Sequence, residues 1–203
     1  MPRADMADHL VHFMTGPRWV DAFGVMQRIL HERVLRGSGR INRDRYHCVC
    51  FSEAPLPMVP GGPVNEDGYS RYTPFGILFD KAWVFSQGGR PVIYQPEAEY
   101  DLLPDALRWR HMRYEIGDAE RVDFTWEREW RLHVDELRFD PSNAVVIVPN
   151  AEWEQHLRVA FDDQQDWQVS AYTQILDETV SEACREGFPW RVACLGKPTP
   201  PAQ

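Results

Sequence analysis

The sequence has only four cysteines, and no stretch approaches the roughly 18 consecutive apolar residues of a membrane-spanning helix. Its opening residues, MPRADMADHLVHF, lack the apolar core of a secretory signal. A cytoplasmic protein with no membrane partner is expected. Cys48 and Cys50 lie two apart in an apolar segment, with Cys184 and Cys194 far away, so no disulfide scaffold is predicted and buried thiols are. Positive charge is also scarce, with 22 Lys and Arg against 31 Asp and Glu, a net charge of −9. That balance speaks against a general duplex binder, because phosphate neutralisation needs clustered Lys and Arg. It leaves room for a local basic site. Walker-type phosphate loops, GxGxxG, CxxC, HExxH and GxSxG are all missing, and no metal is called for.

What is present is an ordinary globular composition, 43% apolar and 26% charged, over 203 residues. One domain spanning 1–203 is expected. Proline (16 residues) and tryptophan (8 residues) are frequent, which suggests long ordered loops around a pocket.

HLVHFMT at 9–15 reads as a first strand. Trp19, Phe23, Met26, Leu30 and Val34 fall at three- and four-residue steps, which predicts a helix from Pro17 to Val34 ended by Gly37. HCVCFSE, PFGILFD, RPVIYQ and NAVVIVP read as strands, and 97–114 as a helix. A strand is expected within 121–134, helices at 151–161 and 173–187, and a last strand in WRVACLG. Residues 54–73 have turn chemistry nearly throughout, and a structureless stretch of that length is commonly functional or disordered, so a long ordered or partly mobile loop is expected. KPTPPAQ at 197–203 reads as a frayed tail. The mixture, without strict alternation, predicts an α+β fold.

Four constellations could carry chemistry. Glu127 and Glu129 in EREWR sit two apart, so on a strand both carboxylates would share one face. Like charges that close raise one pKa, although a solvated strand edge would show the same spacing. His12 precedes Thr15 and Gly16 at the end of the first strand, as a ligand-facing or a satisfied core histidine would. Ser52 ends the CFSE strand, and Tyr69, Arg71 and Tyr72 precede the next, where an arginine beside aromatics can pair with phosphate and hold a flat ring. Arg33, Arg36, Arg40, Arg43 and Arg45 crowd a linker, and RWRHMRY at 108–114 interleaves Arg108, Arg110 and Arg113 with Trp109 and Tyr114. Such segments suit single-stranded nucleic acid or a plain solvated face.

Taken in order, these pieces resemble the ADP-ribosyltransferases. The opening His12, Thr15 and following helix are similar to the DNA-modifying DarT-type toxins. CFSE, GI-x-FD and E-x-E-W-R together resemble a group of small bacterial proteins. The resemblance covers roughly residues 9–134. It implies a split, mostly antiparallel sheet flanked by helices that clasps NAD as substrate, with the 54–73 loop bordering the cleft. It implies that His12 and Thr15 bind the cofactor, His12 through a ribose, with Ser52 or the Tyr69–Arg71 segment as the second motif. Arg71 would pair with the pyrophosphate, and Tyr69 or Tyr72 would stack on nicotinamide. Glu129 would stabilise the oxocarbenium, and Glu127 would orient or deprotonate the acceptor. Trp130 and Arg131 would supply a wall and a charge beside Glu129. Arg40, Arg43 and Arg45 would meet a nucleic-acid acceptor, a protein acceptor being the alternative. A toxin or phage-defence effector is the implied role, with an NAD glycohydrolase or a non-catalytic binding module as the alternatives.

Overall fold

A computed structural model of the protein describes residues 7–39, 45–53, 72–117 and 121–196. Its first half runs β1 (His9–Thr15), α1 (Trp19–Glu32), β2 (Val34–Arg36), β3 (Cys48–Ser52), β4 (Tyr72–Asp80) and α2 (Lys81–Ser86). Next come β5 (Arg90–Pro91), β6 (Ile93–Gln95), α3 (Asp105–Arg108), β7 (His111–Arg113), β8 (Glu115–Ile116) and β9 (Arg121–Val122). The chain closes with β10 (Glu129–His133), β11 (Glu136–Arg138), β12 (Ala144–Val148), α4 (Ala151–Tyr172), α5 (Glu178–Ala183) and β13 (Arg191–Cys194).

Seven strands form the main sheet in the order β13-β12-β4-β1-β3-β10-β5. Every neighbouring pair is antiparallel except β12 and β13, which α4 and α5 connect as a crossover. This is the expected α+β architecture, mostly antiparallel. Period-two alternation then assigns each residue a side. On one side Leu10, Met14, Val49, Phe51, Phe75, Ile77, Phe79, Trp130 and Leu132 build the main core. The apolar stripe of α1 (Ala22, Met26, Leu30) closes over it, with Trp153 and Leu157 of α4. The register places Val11, Phe13, Cys50, Ser52, Leu78, Glu129 and Arg131 on the other side.

Between β1 and β3 the described pairing narrows to Val11↔Ser52. Beside it the His12 Nδ1–H donates to the Cys50 carbonyl at 2.8 Å, standing in for a ladder bond. The seven strands thus form one continuous sheet, not the split sheet expected. Asn150 starts α4 by accepting from the Glu152 and Trp153 amides at 3.0 and 3.3 Å, the ordinary N-cap device.

Several boundaries differ from expectation. Helix α1 stops at Glu32, with Arg33 in the left-handed region at φ 54°, and Val34 is already strand. Gly37 therefore caps nothing. It is needed because a Cβ there would lie 2.1 Å from the Val134 carbonyl oxygen. Residues 97–114 are not one helix: Pro104 interrupts, and His111–Arg113 pairs in parallel with Ile93–Gln95. The segment 173–187 holds only the short α5, because α4 itself continues to Tyr172. Cys48 is buried and Cys50 half-buried, but Cys184 and Cys194 are exposed, and no disulfide joins any of the four. Tyr72 and Thr73 belong to β4 and not to the preceding loop, and 54–71 and the 197–203 tail lie outside the described residues. No helix among the described residues is long and apolar enough to cross a membrane.

Candidate active site

The carboxylates converge at the start of β10, on the sheet side away from α1. Glu127 is not on the strand. It ends a 3-10 turn (Thr125–Glu127), and Arg128 then adopts φ 45° before Glu129 opens β10. A non-glycine residue in the left-handed region costs of order 1 kcal/mol and tends to occur at functional sites. Here it brings Glu127 to the side already occupied by Glu129. The common face expected from an i, i+2 strand pair is thus reached by a bent turn.

Four neighbours fix this turn. Tyr72 Oη donates to Glu127 Oε2 at 3.0 Å. Ser52, directly opposite Glu129 in register, donates its hydroxyl to the Glu127 carbonyl at 2.8 Å. The Tyr94 hydroxyl accepts from the Glu129 amide and donates to the Phe124 carbonyl, each at 3.2 Å. The Glu53 amide donates to the Arg128 carbonyl at 3.3 Å. Ser52 is thus a brace for the turn.

Glu129 is buried, and Arg131 beside it is wholly so. Arg131 Nε donates to Glu129 Oε1 at 2.8 Å and Nη2 to Oε2 at 3.4 Å, a two-pronged pair. Its Nη1 is held by the carbonyls of His111 at 2.7 Å and Trp109 at 3.2 Å. The pair is therefore fixed at both ends. The charge expected from Arg131 is present. The wall expected from Trp130 is not, because strand alternation turns that ring into the core.

Burial pushes the Glu127 carboxyl up to about 7, with the neighbouring Glu129 charge adding to it and the Tyr72 hydrogen bond opposing it. Glu127 can therefore exchange a proton near neutrality. Burial also raises Tyr72, and the Glu127 charge raises it further, so its phenol remains a donor. The Cys50 thiol, under Arg131 in register, is raised well above its ordinary value by burial and by Glu129. It is thus no nucleophile at neutral pH.

The remaining expected residues are placed as follows. Tyr72 joins the carboxylates and its ring lies tilted on Phe13 at 5.4 Å. Thr15 pairs with Tyr72 across the β1 bulge and is exposed. His12 is not brought to the carboxylates. Alternation puts its ring on the core side, edge-on to Phe51 at 6.0 Å, and burial lowers its pKa so that it is neutral. Tyr69, Arg71, Arg40 and Arg43 lie outside the described residues. Arg45 is paired with Asp105 at 2.7 Å.

Tyr94 and Cys50 were not singled out for the site. Tyr94 lies on β6, which pairs with β7, and only the tertiary contact of its hydroxyl with the Glu129 amide brings it to the site. A cavity of about 490 Å³ between α1 and α4, lined by Leu30, Leu157, Phe161 and Trp190, includes Arg33 of the basic segment but neither carboxylate of the site. Among the described residues no cluster of three His, Cys, Asp or Glu could hold a metal ion. No family model matches the chain, and neither the curated proteins nor the solved structures give a match.

Proposed function

We propose that the protein is an NAD-dependent ADP-ribosyltransferase working from the carboxylate-bearing side of the sheet. One observation carries this reading: Tyr72, Glu127 and the Glu129–Arg131 pair meet at the start of β10, with Ser52 opposite Glu129. In the proposed reaction the bond between the nicotinamide nitrogen and the ribose C1′ breaks. The electron pair leaves with nicotinamide, and positive charge develops on the ribose. Glu129, its orientation set by Arg131, faces that charge, and stabilisation of this kind is commonly the largest catalytic effect. The acceptor oxygen or nitrogen then bonds to C1′ and its proton passes to Glu127. Tyr72 holds Glu127 in place and offers its ring to nicotinamide. Arg71 pairs with the pyrophosphate on the strength of the sequence resemblance. His12 ties β1 to β3 through the Cys50 carbonyl.

Glu127 would deprotonate water as readily as a macromolecular acceptor, which is the glycohydrolase alternative. Incubation with NAD labelled in its ADP-ribose half separates the outcomes. Label on a macromolecule supports transfer, and free ADP-ribose supports hydrolysis. Intact NAD with nucleic acid and protein both supplied leaves a non-catalytic binding module.

A further inference from the structure

The arginines that made the basic segments conspicuous are mostly spoken for. Arg33 faces Glu186 at 3.8 Å, Arg36 pairs with Glu32, and Arg45 pairs with Asp105. In RWRHMRY, Arg108 faces Asp101 at 3.8 Å and Arg113 faces Glu115 at 3.6 Å. Arg110 has no carboxylate partner among the described residues. Neither does Arg90, which stands on the edge strand β5 directly opposite Arg131.

These two guanidiniums dock on one short stretch of backbone. Arg90 Nη1 donates to the carbonyls of Phe85 at 2.9 Å and Gly89 at 2.6 Å, and its Cζ lies 3.9 Å from the Phe85 ring centre. Arg110 Nε donates to the carbonyl of Pro91, the residue after Arg90, at 2.9 Å. The backbone thus holds two like charges side by side. Burial pushes Arg110 below the usual guanidinium value, and the Arg90 charge pushes it further. Nε and Nη2 of Arg90 and both Nη of Arg110 make no hydrogen bond among the described residues. In a chain of net charge −9 this unneutralised pair is unlike its neighbours. Phe85 beside it is half exposed.

We propose that Arg90 and Arg110 form a phosphate-backbone contact for a single-stranded nucleic acid, with the exposed ring of Phe85 as a stacking surface for a base. This rests on the acceptor being a nucleic acid and not on NAD being the donor. Fixed guanidinium forks match phosphate oxygens. An exposed ring next to them suits an unpaired base. β5 runs alongside β10, whose Glu129 carbonyl accepts from the Val92 amide at 3.0 Å.

The test is fluorescence anisotropy on the full chain without NAD, using a labelled single-stranded DNA of about twelve nucleotides, within the usual span of such sites. Wild type is expected to bind with a clear loss of affinity as salt rises. Arg90→Gln with Arg110→Gln should weaken binding about tenfold or more. It should also lower the slope of log affinity against log salt by about 1.4, roughly 0.7 per lost single-strand contact. Arg90→Lys with Arg110→Lys keeps the charges and should keep most of that slope, which covers the case in which the glutamine variant fails to fold. Phe85→Ala should weaken binding without changing the slope. No binding by wild type, an unchanged slope in a folded glutamine variant, or tighter binding of a phosphorylated peptide than of the DNA would overturn the proposal. Because NAD is absent, each result stands whether or not the carboxylates cleave NAD.

Discussion

Tyr72 Oη donates to Glu127 Oε2 at 3.0 Å, joining the first residue of β4 to a turn 55 positions later. This bond favours the ionised carboxyl, while burial and Glu129 favour the protonated one. The balance leaves Glu127 at about 7. If Glu127 takes the acceptor proton, the transfer rate should rise with pH through about 7. Tyr72→Phe removes the opposing effect, so the midpoint should move to higher pH. Glu127→Gln should abolish this limb. Rate against pH for the three proteins checks it, and coincident profiles would remove Glu127 from proton transfer.

The same carboxyl gives a stability prediction with a definite sign. Unfolded, a glutamate titrates near 4.3. Folded, Glu127 holds its proton to about 7. Between those values the native state binds more protons, so ionisation works against folding and stability falls as pH rises. Glu127→Gln should therefore gain on wild type by about 3 kcal/mol between pH 4 and pH 8. Urea unfolding at the two pH values measures it. A difference that does not grow with pH would contradict the burial assigned to Glu127.

Breaking the Glu129–Arg131 pair is expected to be costly from either side. Both groups are buried, and removing one partner leaves the other charge uncompensated, typically at about 3–5 kcal/mol. Arg131→Met should lose that much, because the backbone carbonyls of His111 and Trp109 also lose their donor. Denaturant midpoints of Arg131→Met and wild type decide it, and equal midpoints would mean the pair is solvated.

Glu53 links two motifs on the opposite side of the sheet. Its carboxylate accepts from Trp130 Nε1 at 2.7 Å and pairs with Lys81. Glu53→Ala leaves a buried indole N–H without an acceptor and should cost about 1–3 kcal/mol. Trp130→Phe in the Glu53→Ala background should then cost less than Trp130→Phe alone, as a double-mutant cycle reads directly. Additive effects would show that the two side chains do not interact.

The fold was legible where apolar character and period agree. LVHFM, FGILF and AVVIV are long enough in buried residues to read as strands, and they are β1, β4 and β12. EREWRLH already shows Glu129 and Arg131 on one side with Trp130 and Leu132 on the other, because alternation alone dictates it. What local pattern could not show was pairing between distant segments. The 97–114 stretch carries helix formers, yet His111–Arg113 gains more by joining β6. A fully buried Arg131 contradicts the usual exposure of arginine, and only the carbonyls of a neighbouring segment explain it. Glu127 could be named from spacing, but its turn depends on Arg128 at positive φ, a conformation its residue type does not announce.

The most direct test is nicotinamide release from NAD by wild type and Glu129→Gln, at matched fractions of folded protein. The variant keeps the shape of the side chain and loses the charge, and its stability will fall for the reason given for Arg131. A rate lower by about 10²-fold or more per folded molecule is expected, the usual scale for a lost electrostatic contact in the transition state. Equal rates in the two proteins, or no nicotinamide released by wild type in the presence of nucleic acid and protein acceptors, would contradict an NAD-cleaving site at Glu127 and Glu129.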